Sequence, residues 1–144
     1  MLILDTDHVS LLEWGSGSDY DRLQIRLQRT LATEITTTIV SYEEQTRGWL
    51  AYLARARKLT QQVEAFRRLH RHLNVYREMV VLDFDEAAAI EYQNLQHLRT
   101  RIGTCDVRIA AIALAQKATL LTRNTIHFQQ VPGLQFADWT IPPT

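Results

Sequence analysis

Residues 102–124 read IGTCDVRIAAIALAQKATLLTRN, a helix and a strand joined end to end. Gly103 stops the helix before it, and Thr104 and Asp106 open the next one. The Ala- and Ile-rich run to Lys117 has so little polar face that it must lie deep in the protein. Thr119-Leu120-Leu121-Thr122 then reads as a short strand. A buried helix feeding a buried strand is the repeating half-unit of an α/β fold, with helices covering both faces of a mainly parallel sheet.

The same grammar extends in both directions. Leu2-Ile3-Leu4 is an apolar run that ends on Asp5, and His8 to Trp14 gives one or two helical turns, with Asp7 as their cap, before Gly15-Ser16-Gly17-Ser18 interrupts. Asp19 to about Leu31 carries Leu23, Leu27 and Leu31 on one helical face, and the β-branched run Ile35-Thr36-Thr37-Thr38 is a second strand. Helical spacing returns from Ser41 to about Arg57 and again through Leu59, Val63, Phe66, Leu69, Leu73 and Tyr76, which predicts a helical hairpin arm. Val80-Val81-Leu82 is a third strand. Asp83 or Asp85 caps a helix bearing Ala88, Tyr92, Leu95, Leu98 and Ile102, and Leu134-Gln135-Phe136 is a fifth strand after Pro132-Gly133.

With 144 residues, 46% hydrophobic and 22% charged, the chain has the size and balance of one globular domain. The opening MLILD has neither a basic segment nor a long apolar one, and the longest strongly apolar stretch, Ile109 to Ala115, is far below the roughly 20 residues of a membrane span. A cytoplasmic protein without membrane association is expected. Cys105 is the single cysteine, which excludes an intrachain disulfide and a cysteine zinc site. Net charge is zero, yet Arg47 to Arg77 holds eight basic residues against one acid, Glu64. Such a run is ordinarily a solvated helix face; it could also grip phosphates, which arginine does with two parallel hydrogen bonds.

In an open parallel sheet, functional groups collect beyond the carboxyl ends of the strands. Asp5 closes the first strand there, and Thr122 and Asn124 close or follow the fourth. Glu43 or Glu44 lies just after the second strand, and Asp106 begins the buried helix. Taken singly, Asp106 serves equally well as a helix cap, and either glutamate as a solvated helix position. Asp5 is harder to explain away, because an acid ending an apolar strand is costly to bury without a partner. Three acids drawn together would repel unless a cation sat among them, and an all-oxygen donor set favours Mg²⁺ or Mn²⁺ over zinc. The five histidines, His8, His70, His72, His97 and His127, form no metal-ligand pattern and read as surface or packing residues.

LILDTDHVSLLE at residues 2–13 resembles the opening of PIN-domain nucleases of the VapC toxin type, whose first strand ends in Asp-Thr-Asn. TTIVSYEEQTRGW resembles that family's second motif, a Glu followed four residues later by Gly, which selects Glu44 with Gly48. IGTCDVRIAAIALAQKATLLTRNTIHFQQVPGLQFADW resembles its third acid on an Ala-rich helix, its Thr-x-Asn strand end and its tail. The resemblance spans nearly the whole chain and implies a PIN-like three-layer α/β/α fold. It implies metal ligation by Asp5, Glu44 and Asp106, with Asn124 completing the catalytic group and Thr6, Asp7 and Thr122 as supporting neighbours. Asp7 stands where the family has Asn, and either joins the metal shell or caps the first helix.

The implied activity is a Mg²⁺- or Mn²⁺-dependent endoribonuclease that hydrolyses phosphodiesters in line, with the ions activating water and neutralising charge on the phosphate oxygens. Structured RNA such as transfer RNA is the implied substrate. A VapB-like antitoxin and a second copy of the chain are the implied partners. Arg67, Arg68 and Arg71 on the hairpin are candidates for drawing RNA to an acidic pocket. Two rivals stand beside this reading. Asp5 and Asp7 also fit the first motif of haloacid-dehalogenase-like phosphatases, although no Lys follows Thr122 and Asp138 is the only later acid. The other rival is a non-catalytic PIN-like module that binds RNA or protein, which would not need a full trio of acids.

Overall fold

The computed structural model describes residues 1–98 and 101–143. Strands β1 (Leu2–Leu4), β2 (Ile35–Thr38), β3 (Val80–Leu82), β4 (Thr119–Leu121) and β5 (Gln135–Ala137) form one sheet in the order β3-β2-β1-β4-β5. Every neighbouring pair is parallel, so the sheet is wholly rather than mainly parallel. The helices are α1 (Thr6–Trp14), α2 (Ser18–Gln28), α3 (Ile39–Arg55), α4 (Leu59–Arg77), α5 (Glu86–Gln96), α6 (Thr104–Gln116) and α7 (Thr125–Phe128).

Alternation along the central strands produces the three layers. Ile3 pairs with Leu120 and Leu4 with Leu121, and successive residues point to opposite faces. Ile3 and Leu120 face a core built from α5, α6 and α7 through residues such as Ala88, Ile109, Ile112 and Phe128. Leu4 and Leu121 face a second core of Val9, Leu23, Leu27 and Tyr76 from α1, α2 and α4. All four strand residues are fully buried, and each such burial contributes roughly 1.5–3 kcal/mol. Helix α6 needs no polar stripe because Val107 and Ile109 to Ala113 are all buried.

β2 is buried despite its threonines because each hydroxyl has a partner. Thr36 Oγ1 donates to the Leu2 carbonyl at 2.7 Å and Thr37 Oγ1 to the Leu4 carbonyl at 2.8 Å. Thr38 caps α3, accepting the Ser41 N–H at 3.1 Å, so that helix begins at Ile39, before the expected Ser41. Helix α1 also starts early. Its cap is Asp5, whose Oδ1 accepts the Thr6 N–H at 2.8 Å, and not Asp7 as the sequence led us to expect. Two helices stop short of their apolar spacing. α2 ends at Gln28 with Leu31 left 73% exposed, and α5 ends at Gln96 with Leu98 exposed. Among the described residues, no helix is long and apolar enough to cross a membrane.

Candidate functional site

The chain winds outward from β1 through β2 to β3, then returns to the other flank of β1 for β4 and β5. Where that winding reverses, between β1 and β4, the departing connections leave a crevice beyond the carboxyl ends of the strands. Asp5 and Thr122 are the residues that follow β1 and β4, and Thr122 Oγ1 donates to Asp5 Oδ2 at 2.8 Å. The strand runs into α1 with no loop between them, so Asp5 stays 5% exposed. Burial, reinforced by the negative charges of Asp7 and Asp106, pushes its carboxyl up to about 7, against the lowering effect of its Thr122 and Thr6 hydrogen bonds.

Two more acids reach this point from other layers. Glu44, half-buried on α3, accepts a hydrogen bond from Thr6 Oγ1 at 2.9 Å, which ties it to the first turn of α1. Its neighbour Glu43 is occupied elsewhere: it grips Arg47 with two 2.8 Å bonds on the exposed flank of the helix. Asp106 sits in the first turn of α6, its carboxyl raised first by burial and then by the nearby charge of Glu44, with Asp7 adding to the effect. Asn124 directs Nδ2 to Asp106 Oδ2 at 3.5 Å and lies 2.8 Å from His127 Nδ1. His127 Nδ1 is 3.9 Å from the same Asp106 oxygen, so this exposed histidine, read from the sequence as a surface or packing residue, stands at the rim of the site.

Asp7 is held by three groups. His8 Nδ1 lies 2.7 Å from Oδ1, while Oδ2 accepts the Arg123 backbone N–H at 2.9 Å and sits 3.4 Å from Thr122 Oγ1. It is therefore a fixed negative charge beside Asp5. His8 itself is fully buried and turns Nε2 toward Asp138, 3.9 Å away. Behind the acids a polar seam joins three helices: Tyr76 Oη donates to Gln45 Oε1 at 2.5 Å, and Gln45 Nε2 donates to Ser10 Oγ at 2.6 Å. Sequence reading missed Ser10, Gln45, Tyr76 and His127. Of these, only His127 left a signal, lying three residues beyond Asn124 and hence one helical turn away.

Among the described residues, no three His, Cys, Asp or Glu side chains close tightly enough to encircle an ion as they stand. The chemistry of the donor set nonetheless fits a hard divalent cation. The acids offer carboxylate oxygens to one crevice, and Asp5 is held above its ordinary range partly by the charges of Asp7 and Asp106, as Asp106 is by those of Glu44 and Asp7. A cation placed among them would replace their mutual repulsion with attraction and favour their ionised forms.

The arginines of α4 divide into two kinds. Arg67 is 71% exposed and pairs with Glu64 at 2.8 Å. Arg68 and Arg71 are built into the fold: Arg71 donates to the Glu13 carbonyl and lies 4.4 Å over the Trp14 ring, and Arg68 lies over Trp14, Trp49 and Tyr52. Freely presented charge on this arm is thus less than the run of basic residues suggests.

A family model described as PIN domain matches residues 3–134. No curated protein matches the chain significantly. Among solved structures, FitAB bound to a DNA fragment superimposes with a TM-score of 0.74 at 20% identity, covering 100% of this chain and 99% of that one. FitAcB from Neisseria gonorrhoeae gives 0.72 at 22% identity, covering 98% and 100%. VapBC-1 from nontypeable Haemophilus influenzae gives 0.69 at 24% identity, covering 97% and 98%. At these identities the likeness is one of fold.

Proposed function

The chain belongs to the PIN-domain family of nucleases, and from that premise we propose that it is a Mg²⁺- or Mn²⁺-dependent endoribonuclease, the toxin of a VapC-type toxin–antitoxin pair. One observation carries the proposal: acids from the end of β1, from α3 and from the start of α6 gather at the reversal point of a parallel sheet, where the charge of Asp106 adds to the raising of Asp5, to about 7, and that of Glu44 to the raising of Asp106. Such a cluster disfavours its own ionised state, which is a poor arrangement for stability and a good one for capturing a divalent cation.

When bound, such ions supply an activated water and neutralise charge developing on the phosphate oxygens. Asp5, Glu44 and Asp106 would hold them, with Asn124 beside Asp106 as a neutral member of the group. The protein's own contribution is preorganisation. Thr122 and the Thr6 N–H fix the two oxygens of Asp5, Thr6 Oγ1 fixes Glu44, and His8 with the Arg123 N–H fixes Asp7. Neighbours whose names state a toxin–antitoxin complex or system, one from Klebsiella pneumoniae and VapBC-5 from Mycobacterium tuberculosis, support an antitoxin partner for this chain. A second copy of the chain is proposed on the family resemblance.

The decisive test is incubation of the purified protein with RNA in Mg²⁺ or Mn²⁺, with and without EDTA. Cleavage abolished by EDTA and restored by added Mn²⁺ is expected; cleavage indifferent to EDTA, or none with either metal, would end the metal-nuclease reading. A finer expectation concerns Thr6. Thr6→Val keeps the β-branched shape and removes the hydroxyl that holds Glu44, so turnover should drop roughly tenfold, the worth of about 1.4 kcal/mol, while the melting temperature stays close to that of the parent. Comparing kcat with the melting temperature checks this. Equal losses in both would mean that Thr6 only supports the fold.

A further inference from the structure

Beside the acidic crevice, α3 and the edge of α1 form an open groove of about 320 Å³ lined by Ser10, Gln45, Gly48, Trp49, Tyr52 and Arg55. Glu44, Gly48 and Tyr52 recur every fourth residue and share one face of α3. At 1.5 Å of rise per residue, the pocket floor begins about 6 Å from the acid and extends to about 12 Å. The volume is at the small end of the roughly 300–1,000 Å³ usual for ligand sites, suited to one small planar group rather than to a folded helix.

Its walls have a particular chemistry. Trp49 and Tyr52 stand perpendicular to each other with ring centroids 6.0 Å apart, and Trp14 joins Trp49 at 5.8 Å. The Arg68 guanidinium lies 5.1 to 5.8 Å from all three ring centroids, and its Nε donates to Glu64 at 3.1 Å. Cation–π attraction of this kind holds the rings in place without burying them; Trp14 stays 41% exposed, and Trp49 and Tyr52 are half-buried. The floor is bare helix backbone at Gly48, where an added Cβ would meet nothing within 4 Å. No neighbouring protein atom requires glycine there, yet glycine in a helix interior costs roughly 0.5–1 kcal/mol. The missing side chain leaves room for something from outside.

Resting on the nuclease reading above, we propose that this pocket is a nucleotide subsite: it stacks one unpaired base of a single-stranded RNA on Trp49 and Tyr52, next to the phosphate presented to the acids. Aromatic faces beside arginines are what unstacked bases select, because every base has a π-face and every nucleotide a phosphate. Paired bases in a duplex offer no free face to such a pocket. Arg55 at its far end offers a cation to the adjoining phosphate, which an apolar protein segment would leave unmatched.

The test uses the Asp5→Asn protein, so that RNA is held and not cut, with a single-stranded oligoribonucleotide carrying 2-aminopurine and the same strand annealed to its complement. The single strand should bind at least about tenfold more tightly than the duplex, with its fluorescence quenched by stacking. Adding Trp49→Ala should weaken binding about tenfold and remove the quenching. Trp49→Phe should retain most of both, and Tyr52→Ala, which leaves Trp49 in place, should lose part. Circular dichroism confirms that each variant is folded. Unchanged affinity and quenching in both alanine variants, or equal binding of duplex and single strand, would overturn the subsite; a pocket that serves a protein partner gives that first result. Cleavage of the same single strand by the unsubstituted protein in Mn²⁺ is scored separately. Cleavage with unchanged Trp49→Ala binding removes the subsite and leaves the nuclease. Absent cleavage with Trp49-dependent quenching removes the nuclease and leaves an RNA-binding pocket.

Discussion

Asp5→Asn should lower RNA cleavage by at least about a thousandfold, in line with the several kcal/mol that a positioned divalent ion supplies, and should at the same time make the metal-free protein more stable at pH 8. The two effects have one cause. Asp5 is 5% exposed and its carboxyl is pushed up to about 7, against an ordinary 3.8. A group whose folded value is raised favours the fold in its protonated form. Its contribution to stability is intact below the unfolded value, is lost as pH rises from about 4 to about 7, and stays lost above that. The interval corresponds to a cost on the order of 4 kcal/mol at pH 8. Asparagine has nearly the same shape, can still accept the Thr6 N–H, and carries no charge to desolvate. In EDTA, the melting temperature of Asp5→Asn should therefore exceed that of the parent at pH 8, with the gap closing toward pH 4. Retained cleavage would remove Asp5 from the site; a variant less stable than its parent at pH 8 would show that the carboxylate is satisfied within the protein and needs no cation.

That trade of stability for function was partly legible in the amino-acid sequence. A charge ending the run Leu2-Ile3-Leu4 is visible because apolar runs and acids are local features, and for the same reason the strands around residues 35–38, 80–82 and 119–121 and the buried helix from Thr104 could be read directly. The nuclease likeness, too, rested on motifs each confined to a few neighbouring residues. What could not be read is anything set by contacts between distant segments. Asp5 doubles as the cap of α1 only because β1 passes into the helix without a loop, and sequence alone could not choose it over Asp7. Arg68 counted as free positive charge until Trp14, from another helix, proved to lie against it. Leu31 and Leu98 continue a helical spacing but have no core to face, so periodicity overran both helix ends. The pairing of Gln45 with Ser10 and Tyr76 joins residues 31 and 35 positions apart, and no spacing rule reaches so far.

Mn²⁺ affinity should fall about a hundredfold between pH 8 and pH 5. An ion among these carboxylates binds their ionised forms, so it competes with the proton that burial and mutual repulsion favour. With Asp5 near 7, the ionised fraction is close to complete at pH 8 and about one per cent at pH 5, which sets the factor. Asp106 is raised too, so its protonation works against the ion in the same direction. The sign is fixed by linkage: if protons leave when the ion binds, lowering pH must weaken binding, and calorimetry at pH 7 in buffers of different ionisation enthalpy should register release of about half a proton or more. Asp7 works in the same direction as burial, because its charge, held in place by His8 and the Arg123 N–H, opposes ionisation of Asp5. Asp7→Asn should accordingly move the midpoint of the metal-affinity profile to lower pH, toward that of a site with asparagine at this position. A profile that stays flat from pH 8 to pH 5 would mean that the ion does not bind at Asp5. A midpoint unmoved by Asp7→Asn would mean that desolvation alone sets it.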